Sequence, residues 1–79
     1  MEQVVFTSGD KALLIIEDKI EIGEVTILEE HMENDESFYK VKLNFEISRE
    51  IEVELIKFFG KLNSKNEYYV CDFELKEIN

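Results

Sequence analysis

Several residue types are scarce in this chain of 79 residues, and each scarcity excludes a class of protein. The chain has no proline, no tryptophan, three glycines and one cysteine. A single cysteine cannot form an internal disulfide, so a disulfide-stapled scaffold is excluded. The longest aliphatic run, at residues 12–16, is too short to cross a membrane, and we find no apolar segment of signal type. We therefore expect a cytoplasmic protein.

Basic residues are also few. Nine lysines and arginines stand against 19 aspartates and glutamates, which gives a formal net charge of −10. A surface of that sign repels nucleic acids and anionic membranes, so we expect direct binding to neither. The natural electrostatic partner is a cationic protein. Hydrophobic residues still make up 44% of the chain, which is enough for a small folded core.

The hydrophobic pattern predicts one domain over residues 1–79, with the order ββββαβ. Apolar alternation and one continuous apolar run predict strands at about 3–7, 11–16, 20–28, 37–47 and 68–78. A helix is predicted at about 49–62, because its apolar residues form one stripe behind the N-cap Ser48. The fold class is therefore α+β: a two-layer domain with a mostly antiparallel sheet of about five strands and one helix packed on one face. A half-open barrel plugged by the helix remains an alternative.

The third predicted strand changes phase at Gly23. Ile20 and Ile22 fall on one face, whereas Val25 and Ile27 fall on the other, because side chains alternate along a strand. A β-bulge at Gly23–Glu24 would return both pairs to one face. A sharp bend is the alternative.

Most of the net charge lies between residues 17 and 36, where nine acids minus one base give −8. We expect residues 29–36 to form a polar loop. The cluster is either an ordinary solvated surface or a patch that binds a basic partner, and the repulsion among like charges suggests some use. An exposed tyrosine on the last strand would add an aromatic anchor. The predicted partner-binding residues are Glu21, Glu24, Glu29, Glu30, Glu33, Asp35, Glu36 and Tyr68.

No catalytic, cofactor-binding or metal-binding residue is predicted. His31 lies among acids, but one histidine without recurring ligand spacing indicates an exposed residue rather than a metal ligand. The segment 33–36 lacks the alternating pattern of a calcium loop. Cys71 has no neighbouring base in sequence, and its strand position predicts a buried structural thiol.

In size, single-domain build and acidity, the chain is similar to the broad group of small acidic inhibitors encoded by phages and mobile elements. That resemblance implies a non-enzymatic nucleic-acid mimic that inhibits or regulates a cationic, nucleic-acid-binding protein. Two alternatives stay open. One is a structural subunit, most simply a homodimer paired through strand edges or helix faces. The other is a small carboxylate-dependent enzyme, for which 79 residues leave little room.

Overall fold

A computed structural model describes residues 6–17 and 19–78 of the chain. The described residues form five strands, an α-helix and a short 3-10 helix, which confirms the predicted α+β class with an antiparallel sheet and one helix. The elements in chain order are β1 (Lys11–Ile16), β2 (Ile20–Glu33), β3 (Glu36–Leu43), α1 (Arg49–Phe59), β4 (Glu67–Cys71), the 3-10 helix (Asp72–Glu74) and β5 (Leu75–Glu77).

The sheet is curled. Its strand order is β4-β3-β2-β1-β5, so β4 and β5 lie at opposite edges although only three residues separate them in the chain. In a flat sheet the two edges would be roughly 19 Å apart, whereas four residue steps span at most about 14 Å. The sheet must therefore bend, and the 3-10 helix contacts both β1 and β3. The half-open barrel describes this shape better than a flat layer.

The concave face of the sheet holds the core. Cross-strand neighbours such as Ala12, Val25 and Leu43 are aligned by the register and are all buried. Burial of apolar area is the main favourable term in folding, at about 25 cal/mol per Å². The 14 buried core residues are Phe6, Ala12, Leu14, Ile16, Ile22, Val25, Ile27, Tyr39, Val41, Leu43, Leu55, Tyr68, Val70 and Leu75.

A β-bulge in β2 is confirmed, one residue before its predicted position. Leu14 pairs with Gly23 and Ile15 pairs with Glu21, which leaves Ile22 as the extra residue. Gly23 has φ +146°, and a Cβ atom there would lie 2.5 Å from the ring of Phe45. The position therefore requires glycine for its backbone conformation and for the close approach of the ring. A second register shift follows in β2, between Ile27, which pairs with Val41, and Glu29, which pairs with Lys40.

Helix α1 is confirmed, although it ends earlier than residue 62. The Ser48 side chain accepts a hydrogen bond from the Ile51 N–H at 3.3 Å, as an N-cap residue should. Gly60 adopts φ 87° and terminates the helix, because a left-handed residue is a common C-terminal cap. Leu55, on the face of the helix that packs on the sheet, is fully buried, whereas Phe58 remains 39% exposed. The predicted apolar stripe thus contacts the core through Leu55, with Ile51 and Phe59 partly buried against it.

The predicted loop at residues 29–36 is wrong. Strand β2 continues to Glu33 and β3 begins at Glu36, so only two residues turn the chain. Glutamate, aspartate and asparagine are depleted in strands, which is why the sequence indicated a loop. Pairing with β3 overrides that preference because each strand supplies hydrogen-bond partners for the other.

Both ends of the chain depart from the simple strand pattern. The strand predicted at residues 3–7 lies mostly outside the described residues, and Phe6 and Thr7 are not in a strand. The last predicted strand, 68–78, is divided by the 3-10 helix. None of the described helices is long and apolar enough to cross a membrane.

Candidate protein-interaction surface

The most acidic part of the molecule is a regular β-hairpin, residues 29–36, here termed the acidic hairpin. β2 pairs with β1 as far as Thr26, is hydrogen-bonded to residues 8–10 at Ile27 and Leu28, and from Glu29 onward pairs with β3 alone among the described residues. Asn34 and Asp35 have φ values of 52° and 65° and form the two-residue turn. Positive φ at both central positions defines the turn type that matches strand twist. The hairpin therefore projects its acids from a defined backbone.

The register assigns the acids of the hairpin to faces. Glu29 is opposite Lys40, and Glu33 is opposite Glu36, so these side chains share the convex face of the sheet. Glu30 is opposite Tyr39 and lies on the concave side. All five acids of the hairpin are exposed, and it contains no lysine or arginine. The tip is therefore a concentrated negative surface.

Lysine pairing is confined to the base of the hairpin. The Lys40 ammonium lies 3.6 Å from a Glu29 carboxylate oxygen and 3.3 Å from one of Glu67. The hydrogen bond and charge of Glu67 raise the pKa of Lys40, which keeps the lysine protonated. His31 Nε2 lies 3.2 Å from the other Glu29 oxygen. Glu29 is consequently shared between two partners, whereas no such pairing is found at Glu33, Asp35 or Glu36 within the described residues.

The concave side of the hairpin is tied to the core through Tyr39. The Tyr39 hydroxyl is 3.5 Å from Glu30 Oε2 and accepts a hydrogen bond from the Phe6 N–H at 3.3 Å. The Phe6 and Tyr39 rings pack edge to face, with centroids 5.7 Å apart. Burial is the main cause that raises the pKa of the Tyr39 hydroxyl. This cluster fixes the direction in which the hairpin leaves the sheet.

Glu21 and Glu24 do not join the hairpin in one continuous patch. They lie on the convex face opposite Ile15 and Leu13, and Glu24 accepts a hydrogen bond from the Asn44 amide at 3.2 Å. The cross-strand row of Lys11, Thr26 and Lys42 separates them from Glu29. The predicted acidic region is therefore divided in two, and its hairpin part is the coherent one.

The prediction that Tyr68 is an exposed anchor is wrong. Tyr68 is 5% exposed, its hydroxyl accepts a hydrogen bond from the Asn63 N–H at 3.0 Å, and its ring lies 4.7 Å from that of Phe59. Uninterrupted alternation along the predicted strand 68–78 would place Tyr68 on the face opposite Phe73 and Leu75. The 3-10 helix resets the alternation between them and β4. Of the two neighbouring tyrosines it is Tyr69 that is exposed, at 58%, and its ring centroid lies 5.8 Å from that of His31.

A buried carboxylate, absent from the sequence prediction, lies at the other end of the 3-10 helix. Glu74 is only 4% exposed, and its Oε1 accepts a hydrogen bond from the Cys71 N–H at 2.8 Å. Burial raises the pKa of Glu74, and the hydrogen bond opposes that effect. Glu74 lines a cavity of about 270 Å³ with Ile15, Glu17 and Phe73. No sequence signal marked this residue, because strand alternation placed it on an exposed face.

The structure provides no support for a nucleophilic role of Cys71 or for a metal site among the described residues. Cys71 is half-buried rather than fully buried, and burial is the main cause that raises the pKa of its thiol. A raised pKa disfavours the nucleophilic thiolate. Within residues 6–17 and 19–78, no group of three or more histidine, cysteine or acidic side chains could hold a metal ion.

The geometry thus brings together an acidic hairpin, an exposed tyrosine beside it and one desolvated carboxylate in a separate cavity. Comparison of the chain with protein-family models, with curated proteins and with solved structures found no match.

Proposed function

We propose that the protein is a non-enzymatic interaction module that binds a cationic, nucleic-acid-binding protein through the acidic hairpin and thereby inhibits or regulates it. The observation that carries the proposal is the hairpin itself. Five exposed acids without a lysine or arginine are presented on a paired two-stranded scaffold rather than on a loop. Carboxylates held on a paired backbone offer a basic protein what a nucleic acid offers it, namely negative charge on a defined scaffold.

The tip of the hairpin supports this function because the placement of its acids lowers the stability of the fold. Glu33 and Glu36 face each other directly across the strands. Like charges in that position destabilise a hairpin, by about 0.2–1 kcal/mol. A surface that only needed solubility could place the two acids apart. A cationic partner would remove the repulsion on binding.

Tyr69 gives the acidic surface an aromatic component. Its ring is exposed and lies beside His31, whereas the neighbouring Lys40 is occupied by Glu29 and Glu67. Tyrosine is enriched among interface residues that contribute strongly to binding, because it buries a large area with few rotatable bonds. We therefore propose that Tyr69, and not Tyr68, is the aromatic residue of the contact surface.

The experiment is affinity capture with the full chain. Immobilised protein is incubated with a lysate at about 0.1 M and at about 1 M salt, where screening lengths are about 10 Å and about 3 Å. Captured proteins are identified by mass spectrometry, purified and rebound to variants. We expect a basic nucleic-acid-binding protein that is captured at low salt, released at high salt and displaced by added DNA.

The decisive variant is E33Q/D35N/E36Q, which removes three charges from the hairpin and leaves its shape. Its matched control is E46Q/E52Q/E77Q, which removes three exposed charges elsewhere. We expect the hairpin variant to lose most binding and the control to retain it. Equal binding by both variants would show that net charge, and not the hairpin, determines capture, and the proposal would be abandoned.

The homodimer alternative receives less support from the strand edges. In an antiparallel pair, every second residue of a strand forms backbone hydrogen bonds with the partner strand. The Leu43 N–H donates to the Asn66 carbonyl, so Asn66 is one of the bonded positions. The backbone N–H and C=O groups of Glu67, Tyr69 and Cys71 therefore point away from β3. Of these, the Cys71 N–H is already bound by Glu74. The β5 edge is only three residues long. Short or blocked edges are a common protection against edge-to-edge pairing.

A further inference from the structure

The cavity at the 3-10 helix combines features that are unusual for a surface depression. It has a volume of about 270 Å³, and its lining consists of two carboxylates, one aromatic ring and one aliphatic side chain. That volume is below the range of about 300–1,000 Å³ typical of drug-sized ligands. It suits a single side chain or a small cation. None of the described residues that line it is basic.

Glu74 is the residue that gives the cavity its chemistry. It is the one charged residue among those described that is buried. Its Oε1 is bound by the Cys71 N–H, whereas no hydrogen bond within the described residues reaches Oε2. Within the described residues no side-chain oxygen is both fully buried and unpaired, and Glu74 is one of the residues that line the cavity. The carboxylate is thus fixed by one oxygen and open through the other.

The other side chains that line the cavity are of the kinds that contact a guanidinium group. Phe73 holds its ring out to solvent, 76% exposed, at the middle of the 3-10 helix. Ile15 presents an aliphatic surface from β1, and Glu17 adds an exposed carboxylate from the turn after it. A planar guanidinium stacks on an aromatic face and forms paired hydrogen bonds with a carboxylate. The methylene stem of an arginine would lie along Ile15.

We propose that this cavity is a binding site for an arginine side chain, with Glu74 as the ion-pair partner, Phe73 as the stacking surface and Glu17 as a second carboxylate. The site deepens the proposed function, since the arginine would belong to the same cationic partner. A carboxylate that is only 4% exposed has lost most of its hydration, so an incoming guanidinium would form a weakly screened pair. The raised pKa of Glu74 agrees with such an uncompensated environment.

The ligand for the test is N-acetyl-arginine amide, with N-acetyl-lysine amide as the comparison. Each is titrated into the isotope-labelled full chain and followed by amide shifts in NMR spectra. We expect saturable shifts that centre on residues 15–17 and 71–75, with arginine bound more tightly than lysine. Shifts that centre on the acidic hairpin, or equal affinity for both amides, would overturn the arginine site.

Three variants separate a binding role from a structural one. E74Q keeps the acceptor for the Cys71 N–H and removes only the charge, and we expect arginine affinity to fall by at least about tenfold. F73L should reduce the preference for arginine over lysine, because the ring that stacks on the guanidinium is lost. E77Q, an exposed acid three residues on, should change neither quantity. Unchanged affinity in E74Q would overturn the proposal.

The two proposals fail separately. If N-acetyl-arginine amide does not bind while E33Q/D35N/E36Q still abolishes partner capture, the arginine site is wrong and the hairpin function stands. If the amide binds at the cavity while the hairpin variant captures its partner normally, the hairpin function is wrong and the arginine site stands.

Discussion

The acidic hairpin and the Glu74 cavity use carboxylates in opposite ways. The hairpin has many acids, all exposed, and their interactions are screened by salt and individually small, about 0–1 kcal/mol for an exposed pair. The cavity has one acid, Glu74, that is largely buried, with 4% of its surface exposed. Charges at an exposed rim mainly raise association rates, whereas buried charge pairs mainly slow dissociation. The exposed acids of the hairpin would therefore mainly speed association with the proposed partner, and the buried Glu74 would mainly slow its dissociation.

The largest effect we expect comes from detaching the hairpin from the core. Y39A removes the ring that packs on Phe6 and borders Glu30. We expect a loss of about 3–5 kcal/mol in the free energy of unfolding, measured by urea denaturation. Y39F is the control, with a smaller loss of about 1–3 kcal/mol because the Phe6 N–H loses its acceptor. Equal losses in both variants would mean that the hydroxyl, and not the ring, anchors the hairpin.

The hairpin turn can be altered without changing any residue of the Glu74 cavity. N34A/D35A places alanine at two left-handed positions, each with a cost of about 1–2 kcal/mol. We expect faster amide hydrogen exchange in residues 29–36 and weaker partner capture. N34G/D35G removes the same charge and should preserve the turn, because glycine adopts positive φ freely. If both variants exchange alike, the turn does not define the hairpin.

The pH dependence of stability should distinguish the buried acid from the exposed ones. The pKa of Glu74 is raised in the folded protein, so the folded state binds its proton more tightly than the unfolded state does. The contribution of Glu74 is therefore most favourable below about pH 4.3, the ordinary glutamate pKa. It declines as the pH rises through the folded pKa.

E74Q removes the ionisable group, so the variant should be more stable than the natural chain at neutral pH, where the buried carboxylate of Glu74 lowers stability. Each unit of pKa difference corresponds to about 1.4 kcal/mol. We expect the advantage to vanish at low pH in thermal or urea unfolding. An E74Q variant that is less stable at pH 7 would contradict the assignment of Glu74 as an uncompensated buried carboxylate.

The smallest effect concerns the facing acids of the hairpin tip. E33Q/E36Q should stabilise the fold by about 0.2–1 kcal/mol at low salt, since the two carboxylates are directly opposite. The gain should disappear in about 1 M salt, where the screening length is about 3 Å. The stabilisation by E74Q should persist there. A gain from E33Q/E36Q that is independent of salt would show that β-propensity, and not repulsion, causes it.

Local patterns were sufficient for much of the fold. The capping serine and the apolar stripe of α1 located the helix, and the phase change at Gly23 located the bulge to within one residue. These features depend on neighbouring residues and on fixed periods, so they can be read along the chain. The acidic composition of residues 17–36 also indicated a candidate surface, of which the hairpin is one part.

Tertiary pairing decided the rest. The sequence of residues 29–36 indicated a loop, and only pairing with β3 makes it a hairpin. The faces of Tyr68 and Tyr69 were reversed because a three-residue 3-10 helix interrupts the strand alternation beyond Cys71. The same short connection brings the two edges of the sheet together.

By itself, the sequence determined the sign and concentration of the charge, the α+β class and the position of the helix, since these follow from composition and local period. The burial of Glu74 was decided only by the tertiary structure. Desolvation of a carboxylate depends on residues distant in the chain, here Ile15 of β1 beside the 3-10 helix. The exposed acids could therefore be found by reading the sequence, whereas the buried one required the closure of the sheet.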